Sequence, residues 1–180
     1  CWTNFSYFEE FSELIQKELK IRPQALSPKI VNQALTIQKE VSVAIHVRRG
    51  DYLKYPNSEL YVALNTDYYL HAVEKIKQEI ENPIFYFFSN DMKWVKSVLI
   101  PSLKISQYKI MDGNNAIEDF YLMQHCRHQI LSNSTYSFMS AWLNSNNAKL
   151  IIAPRNFFKK DCLQRSYEIG EYLNHSWMLV

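Results

Sequence analysis

The chain has 180 residues, 47% of them hydrophobic, which is enough to bury the core of one globular domain. Its 20 Lys and Arg residues against 18 Asp and Glu residues give a formal net charge of only +2. This balance excludes a general basic surface for nucleic acid or an anionic bilayer, so any anion site has to be local. With 3 glycines, the chain has neither a G-x-G-x-x-G motif nor a Walker loop, which argues against dinucleotide oxidoreductases and P-loop kinases.

The sequence contains no recognisable targeting or membrane segment. It has no run of about 18 apolar residues, and its start lacks the features of a signal peptide. Cys1, Cys126 and Cys162 lie far apart without a C-x-x-C pair, as expected in a reducing compartment. We therefore expect a cytoplasmic protein with at most peripheral contact at the inner face of a membrane. Because the chain begins mid-pattern at Cys1, we also expect it to be part of a longer protein.

The N-terminal region, residues 1–40, is predicted to be helical. Apolar residues from Phe8 to Leu19 recur at helical spacing and predict an amphipathic helix that ends near the Arg22-Pro23 step. A second helix is predicted over Pro28–Lys39. We expect this segment to link the rest of the chain to an N-terminal domain that is missing or truncated here.

Strands and helices alternate from residue 41 onward. Residues 41–47, VSVAIHV, are apolar and β-branched, as in a central strand buried on both faces. The later elements are predicted in the order helix from Asp67, strand 84–89, helix 91–99, strand 104–110, helix 116–126, strand 128–131, helix 134–144 and a last strand at 149–153. Repeated units of this kind predict an α/β domain over 41–158, with a parallel sheet and flanking helices, and 159–180 as a tail.

A dense polar cluster follows the first predicted strand. His46, Arg48, Arg49 and Asp51 surround one strand end, and ligands bind at the carboxyl ends of strands in an open parallel sheet. Guanidinium groups match phosphate oxygens in a bidentate way, so a pyrophosphate suits this cluster. Two alternatives remain open from the motif alone: a surface ion pair between Arg49 and Asp51, and cell adhesion through the Arg49-Gly50-Asp51 triplet.

A second cluster, Ser132-Asn133-Ser134-Thr135, leads from a predicted strand directly into a helix. The first turn of such a helix offers N–H groups and the positive end of the helix dipole to an anion. Simple helix capping is the alternative. A third loop, Ser-Asn-Asp at 89–91, follows the predicted strand at 84–89 and either caps a helix or faces the same crevice.

Asp119, near the start of the predicted helix 116–126, is a candidate for reading guanine. A carboxylate can accept hydrogen bonds from the N1–H and amino edge of that base. The alternative is that Asp119 only complements the helix dipole.

The sequence predicts no metal site. His125, Cys126 and His128 lack a second pair of ligands at suitable spacing. No Asp-x-Asp motif is present to hold a divalent ion on a nucleotide diphosphate. Arg48 and Arg49, with a helix N-terminus, could neutralise the diphosphate instead, so we expect a metal-independent reaction without a cofactor.

Three ordered blocks resemble the alpha-1,2-fucosyltransferase family. Residues 46–51, HVRRGD, are similar to the H-x-R-R-x-D motif of fucosyltransferases that make alpha-1,2 and alpha-1,6 linkages and O-fucose. Matches at 118–128 and at 132–143 follow in the family's order. The resemblance extends from about Trp2 to about Phe158. The departure is at 136–143, where YSFMSAWL stands against the family's F-S-W-W-G-A-W-L.

The resemblance implies the C-terminal, GDP-fucose-binding domain of a GT-B glycosyltransferase. The family's N-terminal G-x-G-N-Q block is absent from this chain. By position, Arg48 resembles the arginine that holds the β-phosphate, with Arg49 and Asp51 as its supports and His46 as a nucleotide contact. Ser134 and Thr135 resemble phosphate-loop hydroxyls, within the stretch that starts at Ser132-Asn133. The same resemblance places Asp119 near the guanine end.

The predicted function is the inverting, metal-independent transfer of fucose from GDP-fucose to a hydroxyl of a glycan acceptor, expected to be a terminal galactose in alpha-1,2 linkage. Arg48 and Asp51 are the predicted catalytic residues. The general base is left unassigned, with three alternatives open: Asp51, a residue of the missing N-terminal half, or late departure of the acceptor proton without a base. The alternative is a non-catalytic module that binds a nucleotide sugar or a glycan.

Overall fold

The computed structural model describes residues 9–159 and 176–180, and it contains a six-stranded parallel sheet flanked by helices. The strands are β1 (Ser42–Val47), β2 (Ile84–Ser89), β3 (Tyr108–Ile110), β4 (His128–Ile130), β5 (Ile151–Ala153) and β6 (Met178–Leu179). Their spatial order is β3-β2-β1-β4-β5-β6. The predicted α/β, Rossmann-like architecture is confirmed, and the GT-B assignment is consistent with it.

The central strand β1 creates the switch point of the sheet. It pairs with β2 along its whole length, from Ser42 beside Ile84 to Val47 beside Ser89, and with β4 on its other side. The chain first builds outward from β1 to β2 and β3, then returns to the other side of β1 for β4. In parallel sheets a crevice opens outside the carboxyl ends of the strands where the order reverses in this way.

Helices cover both faces of the sheet. They are α1 (Ser12–Glu18), α2 (Pro28–Lys39), α3 (Asn57–Leu60), α4 (Thr66–Glu79), α5 (Met92–Trp94), α6 (Ile100–Leu103), α7 (Ala116–His125) and α8 (Thr135–Trp142). Side chains of β1 alternate between two cores: Val43 and Ile45 pack with α4, while Ala44 packs with α2 and α7. A third core joins α8 to β5. Helices on both faces explain why β1 is apolar and buried throughout.

The N-terminal helix is shorter than predicted. A 3-10 turn at Glu9–Phe11 leads into α1, which ends at Glu18 instead of near Arg22, and Phe8 lies outside the described residues. Phe11 and Leu14 are more than half exposed. The apolar spacing therefore identified a helix, but few tertiary contacts are present to extend it.

The region between β2 and β3 differs most from the prediction. A π-helical turn at Val95–Leu99 joins α5 to α6, so the helical segment continues to Leu103. Lys104 ends it in the left-handed conformation, with φ of 49°. The strand predicted over 104–110 is consequently only three residues long and begins at Tyr108.

The tail contributes a strand that the sequence analysis missed. The short strand β6 pairs with β5, and the N–H of Val180 donates to the carbonyl oxygen of Ala153 at 3.0 Å.

The one-turn helix α3 was also not predicted. In the described ranges, no helix has the length and apolar character needed to cross a membrane.

Candidate functional site

The two predicted phosphate-binding segments meet at the switch point of the sheet. The segment starting at Arg48 leaves the carboxyl end of β1, and the segment starting at Leu131 leaves the carboxyl end of the adjacent β4. A hydrogen bond of 2.8 Å between His46 Nδ1 and Ser132 Oγ joins the two ends directly. Sequence positions 86 residues apart therefore form one site.

His46 is a buried, neutral part of this site. Its side chain is almost completely enclosed, and burial, with a smaller effect from Arg48, lowers its pKa to about 3. The ring centroid lies 5.2 Å from that of Tyr136 on α8. His46 thus holds the strand ends together without adding positive charge.

Arg48 lies at the open edge of the site. Its guanidinium donates to Asp51 Oδ2 at 2.8 Å and lies 5.8 Å from the ring centroid of Tyr52. Its Nε is buried, and no acceptor for it exists in the described part of the chain. A buried donor without a partner is costly, so an incoming anion would be stabilised here.

Arg49 has a different environment from Arg48. Its guanidinium carbon stacks over the ring of Trp94, 4.1 Å from the centroid, and its Nε is 3.7 Å from Asp91 Oδ2. The Arg49 side chain is only 17% exposed. Residues of the β2–α5 segment therefore hold Arg49 in place beside the site.

Asp51 pairs with Arg48 and not with Arg49, so the alternative of an Arg49–Asp51 ion pair was wrong. One Asp51 oxygen accepts from Arg48 and the other from the amide of Asn90, at 2.9 Å. Although partial burial raises the pKa of Asp51, its hydrogen bonds with Arg48 and Asn90 lower it below the usual value. With Arg49 stacked on Trp94 and Asp51 engaged twice, the triplet is not presented for adhesion.

The four residues 132–135 have distinct environments. Ser132 contacts His46, as described above, and the amide of Asn133 donates to the carbonyl oxygens of Val62 and Phe157, at 2.8 and 2.9 Å. Ser134 is the N-cap of α8 but makes no side-chain cap hydrogen bond. Thr135 is exposed at the first position of the helix. Asn133 therefore fastens loops around the site, whereas the buried Ser134 and the exposed Thr135 begin the helix that borders it.

Asp119 belongs to the same region through Tyr136. A capping box formed by Asn115 and Glu118 begins α7, and Asp119 is not part of it. Asp119 is half-buried, and burial raises its pKa to about 6 despite a hydrogen bond of 3.0 Å from Asn114. Burial raises the pKa of Tyr136, with Asp119 adding to the effect and Arg48 opposing it. One tyrosine thus lies within electrostatic range of both predicted ligand-binding residues.

The residues considered for a metal make other contacts. His125 Nδ1 is bonded to the carbonyl oxygen of Tyr121, and His128 Nδ1 accepts from the N–H of Leu150. Cys126 is buried against α7. Within residues 9–159 and 176–180, no group of three or more His, Cys, Asp or Glu side chains could hold a metal ion.

Comparison with known proteins identifies the family. The model of the family described as Glycosyl transferase family 11 matches residues 1–177, and the chain therefore belongs to this family. The resemblance stated from the sequence motifs is confirmed.

Three curated relatives illustrate the match. The chain is 29% identical over 162 residues to the alpha-1,2-colitosyltransferase of Escherichia coli, covering 89% of this chain and 55% of the relative. It is 29% identical over 164 residues to the O-antigen biosynthesis glycosyltransferase WbnK of Escherichia coli, covering 86% and 54%. It is 34% identical over 107 residues to galactoside alpha-(1,2)-fucosyltransferase 1 of Leontopithecus chrysomelas, covering 56% and 28%. The chain thus spans about half the length of the first two.

Proposed function

We propose that this chain is the donor-binding part of an inverting, metal-independent fucosyltransferase that uses GDP-fucose. The acceptor is a hydroxyl of a terminal galactose in a glycan, and the new linkage is alpha-1,2. The observation that carries the proposal is the meeting of Arg48 with the N-terminus of α8 at the switch point between β1 and β4. Family membership and relatives named for alpha-1,2 transfer support it.

The proposed mechanism is mainly electrostatic. The acceptor hydroxyl attacks the anomeric carbon of fucose, the bond to the β-phosphate breaks, and negative charge develops on the departing GDP. Arg48 and the first turn of α8 stabilise this charge, because the helix dipole and the guanidinium both favour an anion. Loss of one such preorganised donor lowers the rate by a factor on the order of 100 to 1,000.

Asp51 acts on this reaction by orienting Arg48. Both of its oxygens already accept hydrogen bonds, and its pKa is lowered, which makes it a poor proton acceptor. No described residue is assigned as the general base. Asp119 serves at the other end of the donor, where its ionised carboxylate accepts hydrogen bonds from guanine.

A second candidate is a non-catalytic module that binds a nucleotide sugar or glycan. The chain spans about half the length of the two Escherichia coli relatives, so donor binding and sugar transfer by this chain are tested separately. A transfer assay with GDP-fucose and a galactoside separates the candidates, because a module that binds GDP but transfers no fucose fits only the second.

Calorimetric titration of GDP, GDP-fucose and ADP into the chain tests donor binding. We expect GDP and GDP-fucose to bind more tightly than ADP, without change when EDTA is added. Arg48→Ala should weaken GDP binding about 10- to 100-fold, since a charge-assisted hydrogen bond contributes about 1.5 to 3 kcal/mol.

The matched control is Arg127→Ala. Arg127 precedes β4, and its guanidinium donates to the carbonyl oxygens of Gln38 and Lys39 at the amino ends of the strands, opposite the candidate site. It should leave GDP affinity unchanged. Equal affinity for ADP and GDP, or normal GDP binding by a folded Arg48→Ala variant, would contradict the proposal.

A further inference from the structure

Asn90 is the residue that connects β2 to the arginine-bearing loop. It follows Ser89, which lies beside Val47 in the register of β1 and β2. The Asn90 side chain therefore lies next to the loop that begins at Arg48.

Three hydrogen bonds from this one amide hold the loop. Its Oδ1 accepts from the backbone N–H groups of Arg49 and Gly50, at 3.0 and 3.2 Å. Its Nδ2 donates to Asp51 Oδ1 at 2.9 Å, and the other oxygen of Asp51 accepts from Arg48. A continuous chain of contacts thus runs from Asn90 through Asp51 to the guanidinium of Arg48.

Gly50 shows how closely Asn90 approaches the loop. A Cβ at Gly50 would lie 3.2 Å from both Nδ2 and the carbonyl oxygen of Asn90. Such contacts are tighter than ordinary packing, so a larger residue would push Asn90 away. The glycine between Arg49 and Asp51 therefore makes room for the amide.

We propose that Asn90 is a positioning residue that fixes Arg48 for the donor phosphate through Asp51. This inference rests on the proposed function and deepens it. An asparagine is suited to this position because its oxygen meets two N–H donors while its NH2 group meets a carboxylate. An aspartate would present a second negative charge to Asp51, beside Arg48, Arg49 and Asp91.

The variant Asn90→Asp tests this role by pH. At pH 8 its carboxylate repels Asp51 and cannot donate, so GDP affinity should fall about tenfold relative to the unmodified chain. At pH 5 the pair shares a proton and a donor is restored, so the difference should shrink to about threefold or less. GDP and Asp119 also titrate in this range, but they affect both proteins alike. The ratio of the two GDP affinities at each pH therefore cancels their contribution.

Asn82→Asp is the control, because it makes the same chemical change at a residue that is exposed near the other end of β2. It should alter GDP affinity at neither pH. Equal weakening of Asn90→Asp at both pH values would indicate a general structural defect and overturn the proposal, as would an unchanged affinity at pH 8.

A second measurement needs no ligand. Carbon-13 NMR titration of the Asp51 carboxyl should show its pKa rising in Asn90→Ala, because the carboxylate loses a donor. An unchanged Asp51 titration would overturn the positioning role. If Asp51 responds as expected while the unmodified chain binds no GDP, the proposed function fails and the role of Asn90 in orienting Arg48 stands.

Discussion

Arg48 and Arg49 are neighbours in the chain, yet their guanidinium groups meet different partners. Arg48 faces Asp51 at the open edge, while Arg49 stacks on Trp94 beside Asp91. The sequence motif predicted that both arginines belong to one site. It could not predict their separate partners. Trp94 lies 45 positions after Arg49 in the chain, and the two residues come together because β1 pairs with β2.

Asp119 carries a prediction about base selectivity. Asp119→Asn replaces one acceptor by an amide that presents N–H groups to guanine, so the preference for GDP over ADP should fall at least tenfold at pH 7.5. In the unmodified chain the same preference should decline as pH drops through about 6, where the carboxyl takes up a proton. Calorimetry at several pH values measures both effects, and a selectivity that ignores pH and substitution would rule out this role.

The same substitution should stabilise the fold at high pH. The pKa of Asp119 is about 6 in the folded chain against an ordinary value of 3.8, so the folded state disfavours the ionised form. Its unfavourable effect is absent well below pH 3.8, grows between about pH 4 and pH 6, and is fully present above pH 6. Asp119→Asn should therefore raise the free energy of unfolding by about 1 kcal/mol at pH 8, after solvent screening of a half-buried group. Urea unfolding at pH 4 and pH 8 measures the difference, which should be much smaller at pH 4 than at pH 8.

At the scale of elements, the helix starts differ in how their first turns are satisfied. Asn65 caps α4 through a hydrogen bond from the N–H of Tyr68, and Asn115 closes a capping box on α7. Ser134 makes no such bond at the start of α8, and the hydroxyl of Tyr52 beside it donates to the carbonyl oxygen of Asn133 at 2.9 Å. The first turn of α8 is therefore suited to a ligand in a way that the capped helices are not.

This contrast predicts that substituting the two N-cap residues affects different properties, stability for Asn65 and GDP affinity for Ser134. Asn65→Ala should lower the free energy of unfolding by about 1 kcal/mol and leave GDP affinity within about twofold. Ser134→Ala should weaken GDP binding about threefold to tenfold, the effect of one neutral hydroxyl donor. Thermal unfolding and calorimetry on both variants decide the matter. Unchanged GDP affinity in Ser134→Ala would mean that this hydroxyl does not contact the donor.

Element type was predictable from the sequence, whereas several boundaries were not. The segment IFYFFS formed β2 with the predicted limits, because its four central residues are buried on both faces of the sheet. The segment 104–110 was predicted as one strand, but the preceding helix continues to Leu103, which packs in the core, and ends at the left-handed Lys104, so the strand begins only at Tyr108. The two residues of β6 are too few to form a periodic pattern, so this strand is identified only by its pairing with β5 at the edge of the sheet.

At the scale of the whole molecule, topology determines where the chemistry lies. The sequence predicted a parallel sheet and two polar segments after strands, but not that β1 and β4 are neighbours. The order β3-β2-β1-β4-β5-β6 makes them adjacent and places the crevice between the loop of Arg48 and the start of α8. The fold thus converts two distant motifs into one candidate phosphate site.

A crystal structure of the chain with GDP tests this placement most directly. We expect the β-phosphate within about 2.7 to 2.9 Å of a guanidinium nitrogen of Arg48, at the first turn of α8, with guanine beside Asp119. A cleft of about 560 Å³ lies between α1 and α7, away from Arg48, and is lined by Gln16, Tyr121 and Gln124. GDP bound in that cleft, or anywhere far from Arg48, would contradict the placement.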